Sequence, residues 1–193
     1  MDWWGQSVNE ITKNDSSPCI QTFSRAVDFL FSGAREGRQG GVPLGVITEF
    51  VGLSGLGKTQ MALQLSLCVQ ISSELSGCNG GAIFIDTEGS FHASRIKGMA
   101  LAVEQHLVRV VDRNYKGSAD KESLKSQCRV DDLLSNITLV RVTTLTTLLE
   151  ALGRVVPELI QASRKGSTAV GTEGGGGEGG GGGLKPKSKK NFL

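Results

Sequence analysis

Gly52-Leu53-Ser54-Gly55-Leu56-Gly57-Lys58-Thr59 satisfies the pattern G-x-x-x-x-G-K-[ST] at every required position. Glycines let a backbone curl so that successive N–H groups point inward, forming a nest for anionic oxygens that no side chain obstructs. In such a loop Lys58 reaches the β- and γ-phosphates of a nucleotide as a point charge, and the Thr59 hydroxyl completes the coordination of Mg²⁺. A helix starting where the loop ends adds its positive N-terminal dipole to the same anion site.

The flanks supply the context that the loop needs. Gly45-Val46-Ile47-Thr48-Glu49-Phe50-Val51 is short, apolar and β-branched, which predicts a strand. Gln60 to Ile71 is rich in helix formers and free of Gly and Pro, which predicts a helix. Strand, loop and helix in this order are the signature of a nucleotide-binding site. A chance Gly-rich turn would lack that order.

The rest of the composition narrows the class. At 193 residues the chain has room for one domain and a tail. Its formal net charge of +2 is too small to imply a nucleic-acid partner by itself. Cys19, Cys68, Cys78 and Cys128 are scattered, with no C-x-x-C pair and only two histidines, which argues against a zinc site or disulfide framework and fits a reducing compartment. No secretory signal is visible at Met1-Asp2-Trp3-Trp4-Gly5, and no apolar run is long enough to span a membrane.

Three regions follow from the order of segments: a disordered lead-in over 1–20, a core over 21–165 and a disordered tail over 166–193. Within the core, Thr22 to Phe31 carries apolar residues 23, 26, 27, 30 and 31 at helical spacing and is expected to pack one face inward. Ala82-Ile83-Phe84-Ile85-Asp86 is apolar throughout, as in parallel strands covered on both faces. Phe91 to Tyr115 predicts a helix with Ile96, Met99, Ala100, Val103, Leu107 and Val110 on one side, and Lys116 to Lys125 predicts an exposed loop. Asn136 to Val142 predicts a third strand. Thr143 or Thr144 caps the next helix, from Leu145 to about Ser163, which Pro157 should kink or interrupt. Gly171 to Gly183 is almost wholly glycine and cannot bury a core. Lys185-Pro186-Lys187-Ser188-Lys189-Lys190 is basic, in keeping with a nuclear address, a nucleic-acid patch or a solvated tail.

Asp86 and Glu88 admit three roles on local chemistry. They form a Walker B element, with Asp86 ordering the Mg²⁺ shell; or Glu88 polarises the attacking water and the Mg²⁺-ordering Asp lies on another strand; or both are solvated turn acids.

Gly41-Val42-Pro43-Leu44, Gly52 to Gln60 and Phe84-Ile85-Asp86-Thr87-Glu88-Gly89-Ser90-Phe91 together resemble the RecA superfamily, within it the eukaryotic recombinases and their paralogues. Gln105-His106-Leu107, Asp131 to Ile137 and Val140-Arg141-Val142 look most like the C paralogue branch, which acts in homologous-recombination repair. The resemblance spans roughly residues 20–163. It implies an α/β fold with a RecA-type P-loop NTPase core, a mostly parallel sheet flanked by helices, and ATP with Mg²⁺ as ligands. By position it implies that Gly52, Leu53, Ser54, Gly55, Leu56, Gly57, Lys58, Thr59 and Gln60 hold the nucleotide, that Thr59 meets the metal, and that Glu88 is the catalytic glutamate assisted by Lys58. Arg95 matches a position lying against adenine, with an exposed helix charge as the alternative. Phe23-x-x-Ala26 resembles the motif by which these recombinases engage a neighbour, with core packing as the alternative. Implied partners are other paralogues, the recombinase and DNA, in the nucleus. A DNA-dependent ATPase is the implied activity, and a non-catalytic interaction module within a paralogue complex is the competing one.

The family pattern also predicts elements that this sequence does not supply. About forty residues precede the core, too few for the family's N-terminal helical domain. No apolar strand ending in Asp follows Ser163, so Walker B and the DNA-contacting loops are not encoded; a shortened product is expected, with a deliberate Gly-rich linker to the basic tail as the alternative. In the family's strand order 3-2-4-5-1, strand 1 carries the phosphate loop and would here lose both central neighbours. The chain is therefore expected to be marginally stable or aggregation-prone on its own, unless a partner completes the sheet or strand 1 pairs directly with strand 2.

Overall fold

The structure is a computed structural model that describes residues 19–32, 40–75, 77–115, 118–168 and 191–192. Two compact units divide the chain, Met1–Lys58 and Thr59–Leu193. Trp3 and Trp4, the glycine tract and the basic cluster lie outside the described residues.

In the first unit, strand β1 (Cys19–Ile20) pairs antiparallel with β2 (Val42–Pro43). Gly41 makes the approach possible, because a Cβ there would fall 2.5 Å from the Ile20 carbonyl oxygen. Helix α1 (Arg25–Ser32) is entered through a local hydrogen-bonded knot. The Thr22 N–H and hydroxyl both donate to Asp28 Oδ1 at 2.8 Å, and Val27 N–H donates to Ser24 Oγ at 3.5 Å. The expected inward stripe of this helix is only partly realised. Phe31 meets Phe50 edge-on with centroids 5.6 Å apart, but Phe23 and Ala26 are exposed and Leu30 is 79% exposed.

The predicted strand over Gly45–Val51 is corrected: none of its residues belongs to a strand, and Ile47 is fully exposed. Its β-branched composition favours an extended backbone, yet a strand exists only when a neighbour satisfies its N–H and C=O groups. Among the described residues none pairs with it.

Helix α2 (Lys58–Cys68) begins at the loop, buries Leu63, Leu67 and Cys68, and ends three residues before the predicted Ile71. Gln70 turns the chain by donating through Nε2 to the Ser66 carbonyl at 2.8 Å. Strand β3 (Gly80–Asp86) follows, in parallel register with β4 (Ile137–Arg141), Ala82 facing Ile137 and Asp86 facing Arg141. These two neighbours are the 3-2 pair of the expected order. On its other side β3 pairs in parallel with β5 (Asn191–Phe192) at Gly80–Gly81, so these tail residues, expected to be disordered, contribute a short strand.

Helix α3 (Ala93–Asn114) turns Ile96, Ala100, Val103, Leu107 and Val111 inward. That stripe is the sequence-predicted one, except that Met99 is only half-buried and Val111 rather than Val110 is buried at its end. The segment expected to be a loop contains helix α4 (Ser118–Ser126). Asp112 at the end of α3 holds it through Lys125 (2.8 Å) and Lys121 (3.7 Å), while Leu124 is buried beneath. Helix α5 (Val130–Ser135) buries Val130 and Leu133 and leads into β4.

Beyond β4, helix α6 (Leu145–Glu150) starts with a full capping box: Thr144 Oγ1 accepts from Thr147 N–H, and Thr147 Oγ1 accepts from Thr144 N–H. The predicted interruption at Pro157 appears as a widened turn over Ala151–Val155, in which Val156 N–H donates to the Ala151 carbonyl five residues back. Proline has no N–H to continue the ladder, so a looser turn before it leads into helix α7 (Val156–Thr168).

Candidate functional site

The phosphate-loop residues Gly52 to Lys58 close the first unit. Gly55 and Gly57 have φ of 83° and 90°, a left-handed backbone that costs a side-chain-bearing residue about 1–2 kcal/mol. Leu56 N–H reaches the Leu53 carbonyl at 3.4 Å and tightens the turn between them. Lys58 Nζ folds back over the loop, donating to the carbonyls of Gly52 at 2.8 Å and Leu53 at 3.0 Å. A cation is thus held at the loop and at the first residue of α2, where the helix dipole opposes it. No carboxylate stands in the first turn of α2 to offset either charge. A concentrated positive field on a glycine-built curl, with its charged groups exposed, fits a polyanionic ligand such as a nucleotide phosphate chain.

Within the second unit, Thr59 and Gln60 occupy the first turn of α2. Gln60 Nε2 lies 3.1 Å from Met99 Sδ on α3, in donor–acceptor geometry. Arg95 stands one turn before Met99 on the same helix, so α3's first turns and the start of α2 meet along one face. Arg95 itself is exposed.

Glu88 is exposed on the turn Thr87–Ser90 at the carboxyl end of β3, where open α/β sheets place their ligands. The turn is built around Asp86, only 2% exposed, whose Oδ1 accepts from Ser90 N–H and Oδ2 from Phe91 N–H, both at 3.1 Å. Burial works against ionisation of Asp86, but the N–H groups of Phe91, Ser90 and Glu88 and the nearby Arg141 charge outweigh it and hold the carboxyl below its usual range. Arg141 Nε lies 3.7 Å from Asp86 Oδ2. Phe91 also tilts against Phe84 with centroids 5.3 Å apart, anchoring the far end of the turn in the strand.

Sequence reasoning located Asp86 but not this work, and it gave Arg141 no role at the site. The available signal was an acidic residue ending one predicted parallel strand and a basic residue ending the next. Among the described residues no group of three or more His, Cys, Asp or Glu side chains is arranged to hold a metal ion. No helix there is long and apolar enough to cross a membrane.

Comparison with known proteins agrees with this architecture. The Rad51 family model matches residues 16–124, more than half of the chain. The chain is 37% identical over 130 residues to the DNA repair protein RAD51 homolog 3 of Cricetulus griseus, covering 67% of this chain and 33% of that protein. It is 39% identical over 104 residues to the DNA repair protein RAD51 homolog 3 of Dictyostelium discoideum, covering 54% of this chain and 26% of that protein. The chain therefore spans about a third or less of the length of these relatives. An α/β core with parallel strands, a glycine-built loop leading into a helix and a match over most of that core place the chain in the Rad51 family.

Proposed function

We propose that the chain is an ATP-binding protein of homologous-recombination DNA repair, of the recombinase-paralogue type and most like the C paralogue, acting in the nucleus. The observation that carries this reading is the Gly52–Lys58 loop, with left-handed glycines at 55 and 57 and, at the head of α2, a lysine with no carboxylate in the same helical turn. Its relatives are named as DNA repair proteins, which supports the same assignment.

The backbone N–H groups of Gly52 to Gly57 would cradle the phosphates, and Lys58 would leave its two carbonyl partners to bind phosphate oxygens. Thr59 offers its hydroxyl to Mg²⁺, which when bound neutralises phosphate charge. Gln60 and Arg95, at the start of α2 and α3, match by position residues that contact the nucleotide in the family, Arg95 the one against the base. Glu88 orients the attacking water and takes its proton. With both Asp86 oxygens engaged by backbone N–H groups, Glu88 is the carboxylate of this turn left for that task. Paralogues, the recombinase and DNA are the partners this function requires.

The test is saturable binding of a fluorescent ATP analogue with Mg²⁺, followed by turnover. Lys58→Ala should weaken affinity about tenfold or more, the value of a charge-assisted contact. Glu88→Gln should leave affinity intact and abolish turnover. A wild-type chain without Mg²⁺-dependent binding overturns the reading.

One observation favours a second reading, an interaction module without catalysis. Leu145, Leu149 and Leu152 are exposed at helical spacing along α6 and the turn that follows it, an apolar row open to solvent. Under that reading Leu149→Glu disrupts assembly with paralogue partners, while Glu88→Gln changes nothing.

A further inference from the structure

The carboxyl ends of β3 and β4 lie side by side, with Asp86 facing Arg141 in register and Val142 N–H donating to the Asp86 carbonyl at 3.1 Å. Asp86 is buried and its two oxygens take the N–H groups of Ser90 and Phe91. Those donors sit just past Glu88, so the carboxylate ties the far limb of the turn back to its near limb. The guanidinium of Arg141, 55% exposed, approaches the same Oδ2 that accepts from Phe91. Spent on two backbone donors and one cation, Asp86 has a full set of partners without a metal ion.

We propose that Asp86, steadied by Arg141, is the positioning residue for Glu88: it holds the Thr87–Phe91 turn in the shape that presents Glu88 and is not a metal ligand. The part concerning Glu88 chemistry rests on the nucleotide reading above; the part concerning the turn does not. Two features make the carboxylate specific. A neutral amide offers one oxygen where the turn uses two, and its NH₂ group would face both the Phe91 N–H and Arg141. An aliphatic replacement would leave Ser90 and Phe91 N–H without their partner altogether.

The experiment uses the full chain as wild type, Asp86→Asn, Arg141→Gln and Arg141→Lys. Amide hydrogen exchange is read by NMR, ATP turnover by kcat and KM, and Mn²⁺ affinity by paramagnetic relaxation in the presence of ATP. In Asp86→Asn the Ser90 and Phe91 amides should exchange about tenfold faster, while the α3 amides of Val103, Leu107 and Val111 keep their protection and so report an intact fold. Turnover should fall about ten- to hundredfold in kcat with KM and Mn²⁺ affinity unchanged, the mark of a displaced group rather than a lost ligand. Arg141→Gln should repeat the pattern more weakly, and Arg141→Lys should restore part of it.

Unchanged exchange at Ser90 and Phe91 overturns the turn's dependence on Asp86. A fall in Mn²⁺ affinity in Asp86→Asn overturns it in favour of a metal ligand, and an unchanged kcat overturns the link to Glu88. A wild-type chain that neither binds nor turns over ATP defeats the nucleotide reading and the Glu88 link with it, while the exchange measurement still decides whether Asp86 holds the turn.

Discussion

Asp86 and Arg141 end adjacent parallel strands in direct register, and Arg141 Nε stands 3.7 Å from Asp86 Oδ2. Two strands separated in sequence by three helices are thereby joined at their carboxyl ends, where ligands gather in open α/β sheets. The residue nearest to a Walker B aspartate in this strand is used to fold a turn, and the exposed glutamate two positions on is what that turn displays.

The pH dependence of this tie has a definite sign. Burial raises the Asp86 carboxyl, but the Phe91, Ser90 and Glu88 N–H groups and Arg141 lower it further, so its folded value lies below the unfolded value of about 3.9. A depressed carboxyl contributes stability that is fully present above the unfolded value and is lost as pH falls through the folded one. The Asp86 side-chain ¹³C signal should therefore titrate with a midpoint below about 3.9. A midpoint at or above that value contradicts the geometry.

Glycines at two places should respond to alanine in opposite directions. Gly57 has φ of 90°, so Gly57→Ala should destabilise by about 1–2 kcal/mol and weaken nucleotide binding. Gly98 lies inside α3 with nothing within 4 Å of the position a Cβ would take, so Gly98→Ala should stabilise by about 0.5–1 kcal/mol. Denaturant unfolding of both variants checks the pair. Equal signs would contradict either the left-handed backbone at Gly57 or the open helical site at Gly98.

The capping box on α6 gives a third measurable effect. Thr144→Ala removes an acceptor for Thr147 N–H and a partner for the Thr147 hydroxyl, and should cost about 0.5–2 kcal/mol in the same unfolding measurement. Thr143→Ala, one residue earlier and outside the cap, should be near neutral.

Features that depend on a few adjacent residues were legible in the sequence. The Gly52–Thr59 pattern, the apolar run ending at Asp86, the inward stripe from Ile96 to Leu107 and the cap at Thr144 each state their structure locally. Features settled by distant partners were not. Helix α4 buries Leu124 and is held by Asp112 on the preceding helix, so its own periodicity was too weak to read. The Asp86–Arg141 tie required the strand register. Gly45–Val51 shows the reverse failure: its residues prefer extended backbone, but preference alone cannot supply the neighbour that makes a strand.

That unpaired segment carries the last prediction. Val46, Ile47, Val51, Leu53 and Leu56 are all exposed, Ile47 completely, in a stretch whose backbone has no strand partner among the described residues. β-branched and weakly charged, it has the composition of a segment that adds to another chain's edge. The purified chain should therefore self-associate with rising concentration, as light scattering would show. Ile47→Lys should raise the concentration at which association begins, because a charge on the exposed segment opposes its pairing with another chain's edge without removing any buried contact. Leu67→Ala makes the contrast: it empties a fully buried site on α2, should cost about 2–5 kcal/mol, and should increase association by populating unfolded chain. A wild-type chain that stays monomeric at high concentration, or one whose association ignores Ile47→Lys, would show that the Gly45–Val51 segment finds its pairing within the molecule.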